Sequence, residues 1–141
     1  MRQGNDAAPS RPQVGPAAPP GSRILIVDDN RDAADSLGLL LGLDGHDVRV
    51  AYAGRQALES AKEFLPDVAI LDLGLPDLSG YDVAQLMRQD PVLQRVALIA
   101  LTGWGQEEHK QRARDAGFDF HLTKPVDLDR LAAVLAPDSN R

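Results

Sequence analysis

Five times between residues 22 and 136, a short apolar run is followed by an amphipathic stretch of helical length. The runs cover 24–27, 48–51, 68–71, 96–101 and 118–123; the stretches cover 32–43, 54–65, 80–89, 106–116 and 127–135. Regular strand–helix alternation predicts a parallel sheet with helices on both faces, an α/β fold. The runs at 24–27, 68–71 and 96–101 are apolar throughout, as in strands buried on both faces. The runs at 48–51 and 118–123 alternate, as in strands at the sheet edges. Edges second and fifth, with the first, third and fourth inside, predict a flavodoxin-like (βα)5 fold with sheet order 2-1-3-4-5.

The helical stretches carry apolar stripes. Leu128, Leu131, Ala132 and Leu135 follow helical spacing, with Asp127 placed to cap the start. Leu37, Leu40 and Leu41, and likewise Val83, Leu86 and Met87, read as core contacts. The fourth stretch differs: between Gln106 and Asp115 only Ala113 is apolar, which predicts a weakly held helix.

The first 21 residues hold five of the ten prolines and only Met1 and Val14 as larger apolar groups. Such a segment cannot bury enough surface to offset its ordering entropy. We expect a disordered Pro-rich linker over 1–21, one folded domain over 22–136 and a tail over 137–141. The leader fits a frayed terminus, a cloning remnant or a tether to an upstream domain equally well. Net charge is −6, from 15 basic and 21 acidic side chains. That acidity argues against direct nucleic-acid binding. No apolar run approaches the roughly 20 residues of a membrane span, and the N-terminus lacks the apolar core of a secretory signal. Zero cysteines exclude disulfides and thiolate chemistry. A cytoplasmic protein without membrane insertion is expected.

The predicted strand ends carry the chemistry. The first run ends in Asp28-Asp29, the third in Asp72, the fourth in Thr102 and the fifth in Lys124-Pro125. Ligand sites of open α/β sheets lie outside the carboxyl ends of the strands, where the strand order reverses. Three carboxylates converging there repel one another, and a hard divalent cation such as Mg²⁺ relieves that repulsion. Lys124 adds an ammonium and Thr102 a hydroxyl. A cation, an ammonium and a hydroxyl around a carboxylate form a holder for a phosphoryl group, with Asp72 as the in-line nucleophile. Each residue alone reads as a helix cap or a solvated loop charge. Four such positions at one end of one sheet do not.

The strings ILIVDDN at 24–30, AILDLGLPDLSG at 69–80, ALTG at 100–103 and LTKPVD at 122–127, in this order and spacing, resemble the receiver domain of two-component response regulators. The resemblance covers about residues 23–135. It implies Asp72 as phosphoacceptor, with Asp29 and Asp72 as direct Mg²⁺ ligands. It also implies Asp28 acting through metal-bound water and the Gly74 backbone carbonyl completing the metal shell. Lys124 would bind the phosphoryl group, Pro125 would follow a cis peptide bond, and Thr102 would be the switch hydroxyl. The implied partner is a histidine kinase or a histidine phosphotransfer domain. The implied role is a signalling receiver in a phosphorelay rather than an enzyme acting on a separate substrate.

Two positions depart from the commonest pattern. His121 stands three residues before the lysine, where receivers carry Tyr or Phe. It reads equally as a pH-sensitive switch or as an edge-strand histidine. Gly74 is paired with bulky Trp104, which predicts either shielding of a long-lived phosphoform or, for Trp104, an exposed anchor for a partner. Phosphorylation is expected to draw Thr102 inward and move the loop at 103–105 with the fourth helix, so that the fourth helix, fifth strand and fifth helix form the readout face.

No output domain is expected after the fifth helix, and His46, His109 and His121 do not form a kinase phosphorylation helix. A stand-alone regulator and the C-terminal receiver of a hybrid histidine kinase both fit, and the style of the sequence leans to the hybrid kinase. A metal-dependent phosphohydrolase with Asp72 as nucleophile would carry a second carboxylate at position 74. A flavin-phosphate binder would not place Asp28-Asp29 after its first strand. A phosphorylation-independent adaptor has no use for the whole acidic set.

Overall fold

The computed structural model describes residues 21–103 and 107–135. Most of the leader, Trp104 and the 137–141 tail lie outside the described residues. The elements run β1 (Arg23–Val27), α1 (Arg31–Leu43), β2 (Asp47–Ala51), α2 (Gly54–Phe64), β3 (Val68–Asp72), α3 (Gly80–Gln89), β4 (Ala97–Thr102), α4 (Glu107–Ala116), β5 (Phe120–Thr123) and α5 (Leu128–Leu135). The sheet is five-stranded, with order β2-β1-β3-β4-β5 and every pairing parallel. This is the flavodoxin-like order expected from the strand patterns.

The period-2 geometry of the strands divides the core between two faces. Leu25, Val27, Ala69, Leu71, Leu98 and Ala100 face α2, α3 and α4, meeting Ala57, Ala61, Val83 and Met87. Ile24, Ile26, Val68, Ile70, Ile99 and Leu101 face α1 and α5, meeting Ala34, Leu37, Leu41, Leu131 and Leu135. Each large aliphatic side chain fully buried this way contributes about 1.5–3 kcal/mol. All five residues of β3 are buried, whereas β2 alternates between exposed and half-buried positions until Ala51.

Two boundaries differ from expectation. β5 begins at Phe120, because the Phe118 amide still donates to the Ala113 carbonyl at the end of α4; the Asp119 amide, on the carbonyl of Leu98 in β4, then leads the chain into the sheet. β4 begins at Ala97, because the Val96 amide closes a turn onto Leu93. The fourth helix is held by more than Ala113: Ala116 is also buried, and the Arg112 guanidinium lies 4.1 Å from the Tyr81 ring centre.

Candidate functional site

Parallel strands deliver their C-terminal residues to one edge of the sheet, and that edge collects the charges. Asp28 follows β1, Asp72 ends β3, Thr102 ends β4 and Lys124 follows β5. Asp28, Asp72 and Thr102 are buried, while Asp29 is exposed. Ligand oxygens of Asp28, Asp29 and Asp72 all lie within 4.8 Å of one another. The Lys124 Nζ stands 3.0 Å from Asp72 Oδ2 and 3.4 Å from Asp28 Oδ2.

Local backbone bonds hold the carboxylates in place. The Asn30 amide donates to Asp28 Oδ1 at 3.0 Å, and the Gly74 amide donates to Asp72 Oδ1 at 3.2 Å. Asn30 itself caps α1, its side chain accepting from the Ala33 amide. The start of α3 is drawn tightly against the end of β3. A Cβ at Gly80 would stand 2.4 Å from the Asp72 carbonyl oxygen, so no other residue fits there. A Cβ at Gly74 would meet nothing within 4 Å, which leaves the space beside Asp72 open. The Lys124–Pro125 peptide is cis.

The electrostatics follow from burial and charge. Burial raises the Asp28 carboxyl above its ordinary value; the Asn30 amide opposes this and the Asp72 charge adds to it. For Lys124, desolvation works against the ammonium. Hydrogen bonding and charge from Asp72, then Asp28, outweigh it and raise the value. Three clustered carboxylates facing one ammonium leave excess negative charge. Hard oxygen donors with one side open to water suit a hexacoordinate cation such as Mg²⁺.

Thr102 is at the site but turned aside. Its hydroxyl donates to the Leu122 carbonyl at 3.4 Å, across the β4–β5 pairing. His121 lies half-buried on the edge strand β5.

Beside the site, the β3–α3 loop makes a contact that sequence reasoning missed. Asp77, in the β3–α3 loop, accepts from the Gly54 amide at 2.7 Å and the Arg55 amide at 3.0 Å. It caps α2 from a distant segment, because Ala53 at the N-cap has no side chain to do so. These backbone donors hold its carboxyl at about 2. The uncapped Ala53 was the one available signal that a cap had to come from elsewhere.

A family model described as the response regulator receiver domain matches residues 24–136. The chain belongs to the response regulator receiver family. A curated relative, the DNA-binding dual master transcriptional regulator RpaA of Synechocystis, is 36% identical over 111 residues, covering 79% of this chain and 46% of that protein. The receiver thus spans about half the length of that relative. Among solved structures, the chemotaxis response regulator CheY4 of Vibrio cholerae superposes with a TM-score of 0.75 at 28% identity, over 82% of this chain and 99% of that one. The signal receiver domain of a signal transduction histidine kinase from Syntrophus aciditrophicus gives 0.75 at 26% identity, over 86% and 95%. Receivers of this family are modules of two-component signalling that work with histidine kinases or phosphotransfer proteins. Among the described residues, no helix is long and apolar enough to cross a membrane.

Proposed function

We propose that this receiver accepts a phosphoryl group from a partner's phosphohistidine onto Asp72 and changes its surface in response. The observation that carries this reading is the buried Asp72 carboxylate, 3.0 Å from Lys124 and clustered with Asp28 and Asp29. In the transfer, an Asp72 oxygen attacks phosphorus in line. The P–N bond breaks, its electron pair returns to the imidazole, and an acyl phosphate forms on Asp72. Lys124 neutralises charge on the transferred oxygens. Asp29 and Asp72, with the Gly74 carbonyl, would hold Mg²⁺ directly, and Asp28 would act through a bound water. When bound, the ion supplies charge neutralisation at the phosphoryl oxygens.

Thr102 gives up the Leu122 carbonyl to donate to the new phosphoryl oxygens. Arg112 on Tyr81 and the small residues Ala113 and Ala116 hold α4 lightly enough to follow. The role is that of a signalling receiver in the cytoplasm, with residues 22–136 as its folded unit. Gly74, where a phosphohydrolase would carry its acid–base carboxylate, supports storage of the phosphoryl group over turnover. Incubation with Mg²⁺ and a small phosphodonor, followed by intact mass, tests the proposal. Addition of one phosphoryl group, lost in Asp72→Asn, is expected; an unmodified wild-type protein refutes it.

A further inference from the structure

The pole of the sheet opposite Asp72, where the strands begin, carries a second feature that phosphoryl transfer does not use. Between the α3–β4 connection and the turn after α4 lies an open groove of about 700 Å³ lined by Arg88, Arg95 and Arg114. Three guanidiniums in one groove stand out on a chain of net charge −6.

The three arginines are not equivalent. Arg88 is fully engaged: it donates to the Gly117 carbonyl from Nε at 2.9 Å and Nη2 at 2.7 Å, and to the carbonyls of Gln94 at 2.8 Å and Val96 at 2.7 Å. It also pairs with Asp119 at 2.9 Å. The Arg88 charge thus sits against the carbonyl that follows α4, where it offsets the negative end of that helix. Asp119 Oδ2 also accepts from the Leu98 amide at 2.9 Å, which fixes the acid of the groove beside Arg88. Arg95 and Arg114 are exposed, and among the described residues their guanidiniums have no ion pair or hydrogen bond. Two unpaired guanidinium forks therefore face an open groove whose own acid is paired in charge with Arg88.

Arg95 also lines an adjoining depression of about 310 Å³ with Leu65, Pro66 and Val92. Its acid, Asp67, already accepts from the Arg23 amide at 2.9 Å. Val92 is 65% exposed and Leu65 46%. Leu65 sits at φ 53 as the left-handed C-cap of α2, a position that favours glycine. The chain thus holds a large apolar side chain on the surface where a glycine would relieve strain of about 1 kcal/mol or more.

From this juxtaposition we infer that the strand-start pole is a docking surface for an acidic protein segment. Its carboxylates meet Arg95 and Arg114, and an adjacent apolar side chain rests on Leu65 and Val92. Charge complementarity selects the carboxylates, since the planar guanidinium matches them bidentately. The exposed apolar depression beside Arg95 selects a peptide over a bare anion. The surface is independent of the phosphoacceptor reading.

The test is a titration of the ¹⁵N-labelled full chain, followed by amide shifts. The probes are a capped hexapeptide of alternating glutamate and leucine, its glutamine counterpart and inorganic phosphate. The acidic peptide is expected to shift amides of 92–96 and 114–119, the glutamine peptide is not, and Arg95→Glu with Arg114→Glu is expected to weaken binding at least about tenfold. Arg95→Gln with Arg114→Gln provides a milder pair with the same direction of effect. Three results overturn the inference: no local shifts, equal shifts from inorganic phosphate (an anion site only), or binding unchanged in both double variants.

Discussion

Replacing Asp28 by Asn isolates the electrostatic strain in the acidic cluster at the strand ends. Asp28 and Asp72 have ligand oxygens within 4.8 Å of each other, a repulsion of at least about 3.5 kcal/mol at an effective dielectric constant near 20. The attraction of Asp28 to Lys124 at 3.4 Å is about 4.9 kcal/mol on the same scale, but about a third of the lysine side chain is exposed and solvent screening reduces it. The two nearly cancel, and the cost of burying the Asp28 charge decides the sign, as its raised pKa shows. An acid with a raised folded value contributes stability that is fully present below its unfolded value, 3.8, and lost as pH rises through the folded value. At pH 7 the Asp28 charge therefore opposes folding. Asn keeps the acceptor for the Asn30 amide and removes the charge. Without divalent ions at pH 7, Asp28→Asn is expected to be more stable by about 1 kcal/mol, with a midpoint about 3–6 °C higher. The advantage should shrink as pH falls through the raised value. Added Mg²⁺ should stabilise the wild type by about 1.4 kcal/mol per tenfold excess over its Kd, and the variant by less. Urea unfolding with and without Mg²⁺ measures both. A variant less stable than wild type in the absence of Mg²⁺ would refute the balance of terms used here.

Asp77→Ala should lower the thermal midpoint by uncapping α2. Wild type, whose Asp77 carboxyl is held at about 2, should lose that contribution as pH falls from its unfolded value toward about 2; a pH series of melts on both proteins reads the difference. Gly117→Ala combines a φ of +110 with a Cβ 2.7 Å from the Arg88 side chain, so a loss of about 1–3 kcal/mol in urea unfolding is expected. Arg112→Ala removes the stack on Tyr81; hydrogen exchange should quicken across α4 while global stability falls by only about 0.5–1 kcal/mol.

The sheet was legible because a parallel strand announces its burial. β3 is apolar through Leu71 and buried along its whole length, and β2 alternates in both pattern and exposure. Strand order followed from that contrast, and strand order placed Asp28, Asp72 and Lys124 together. What the sequence did not expose was contact between segments with no local signature. Asp77 caps a helix 22 and 23 residues earlier in the chain, and Arg88 ties α3 to carbonyls at Gln94, Val96 and Gly117. A hydrophobic period encodes a face; it does not encode which carbonyl a guanidinium will find.

Thr102 shows the same boundary inside the site. Its position at the end of β4 fixes its neighbourhood, yet a hydroxyl rotates about one bond and takes the best acceptor within reach. In this structure that acceptor is the Leu122 carbonyl at 3.4 Å, long for an O–H···O bond and therefore weak. A neutral bond of this kind is worth no more than about 0.5–1.5 kcal/mol net, whereas a bond to an anionic oxygen is worth about 1.5–3. A dianionic group on Asp72 would thus outbid the Leu122 carbonyl for the hydroxyl. The resting bond is weak enough to break and links β4 to β5, so its release would register on the edge strand next to α4 and α5.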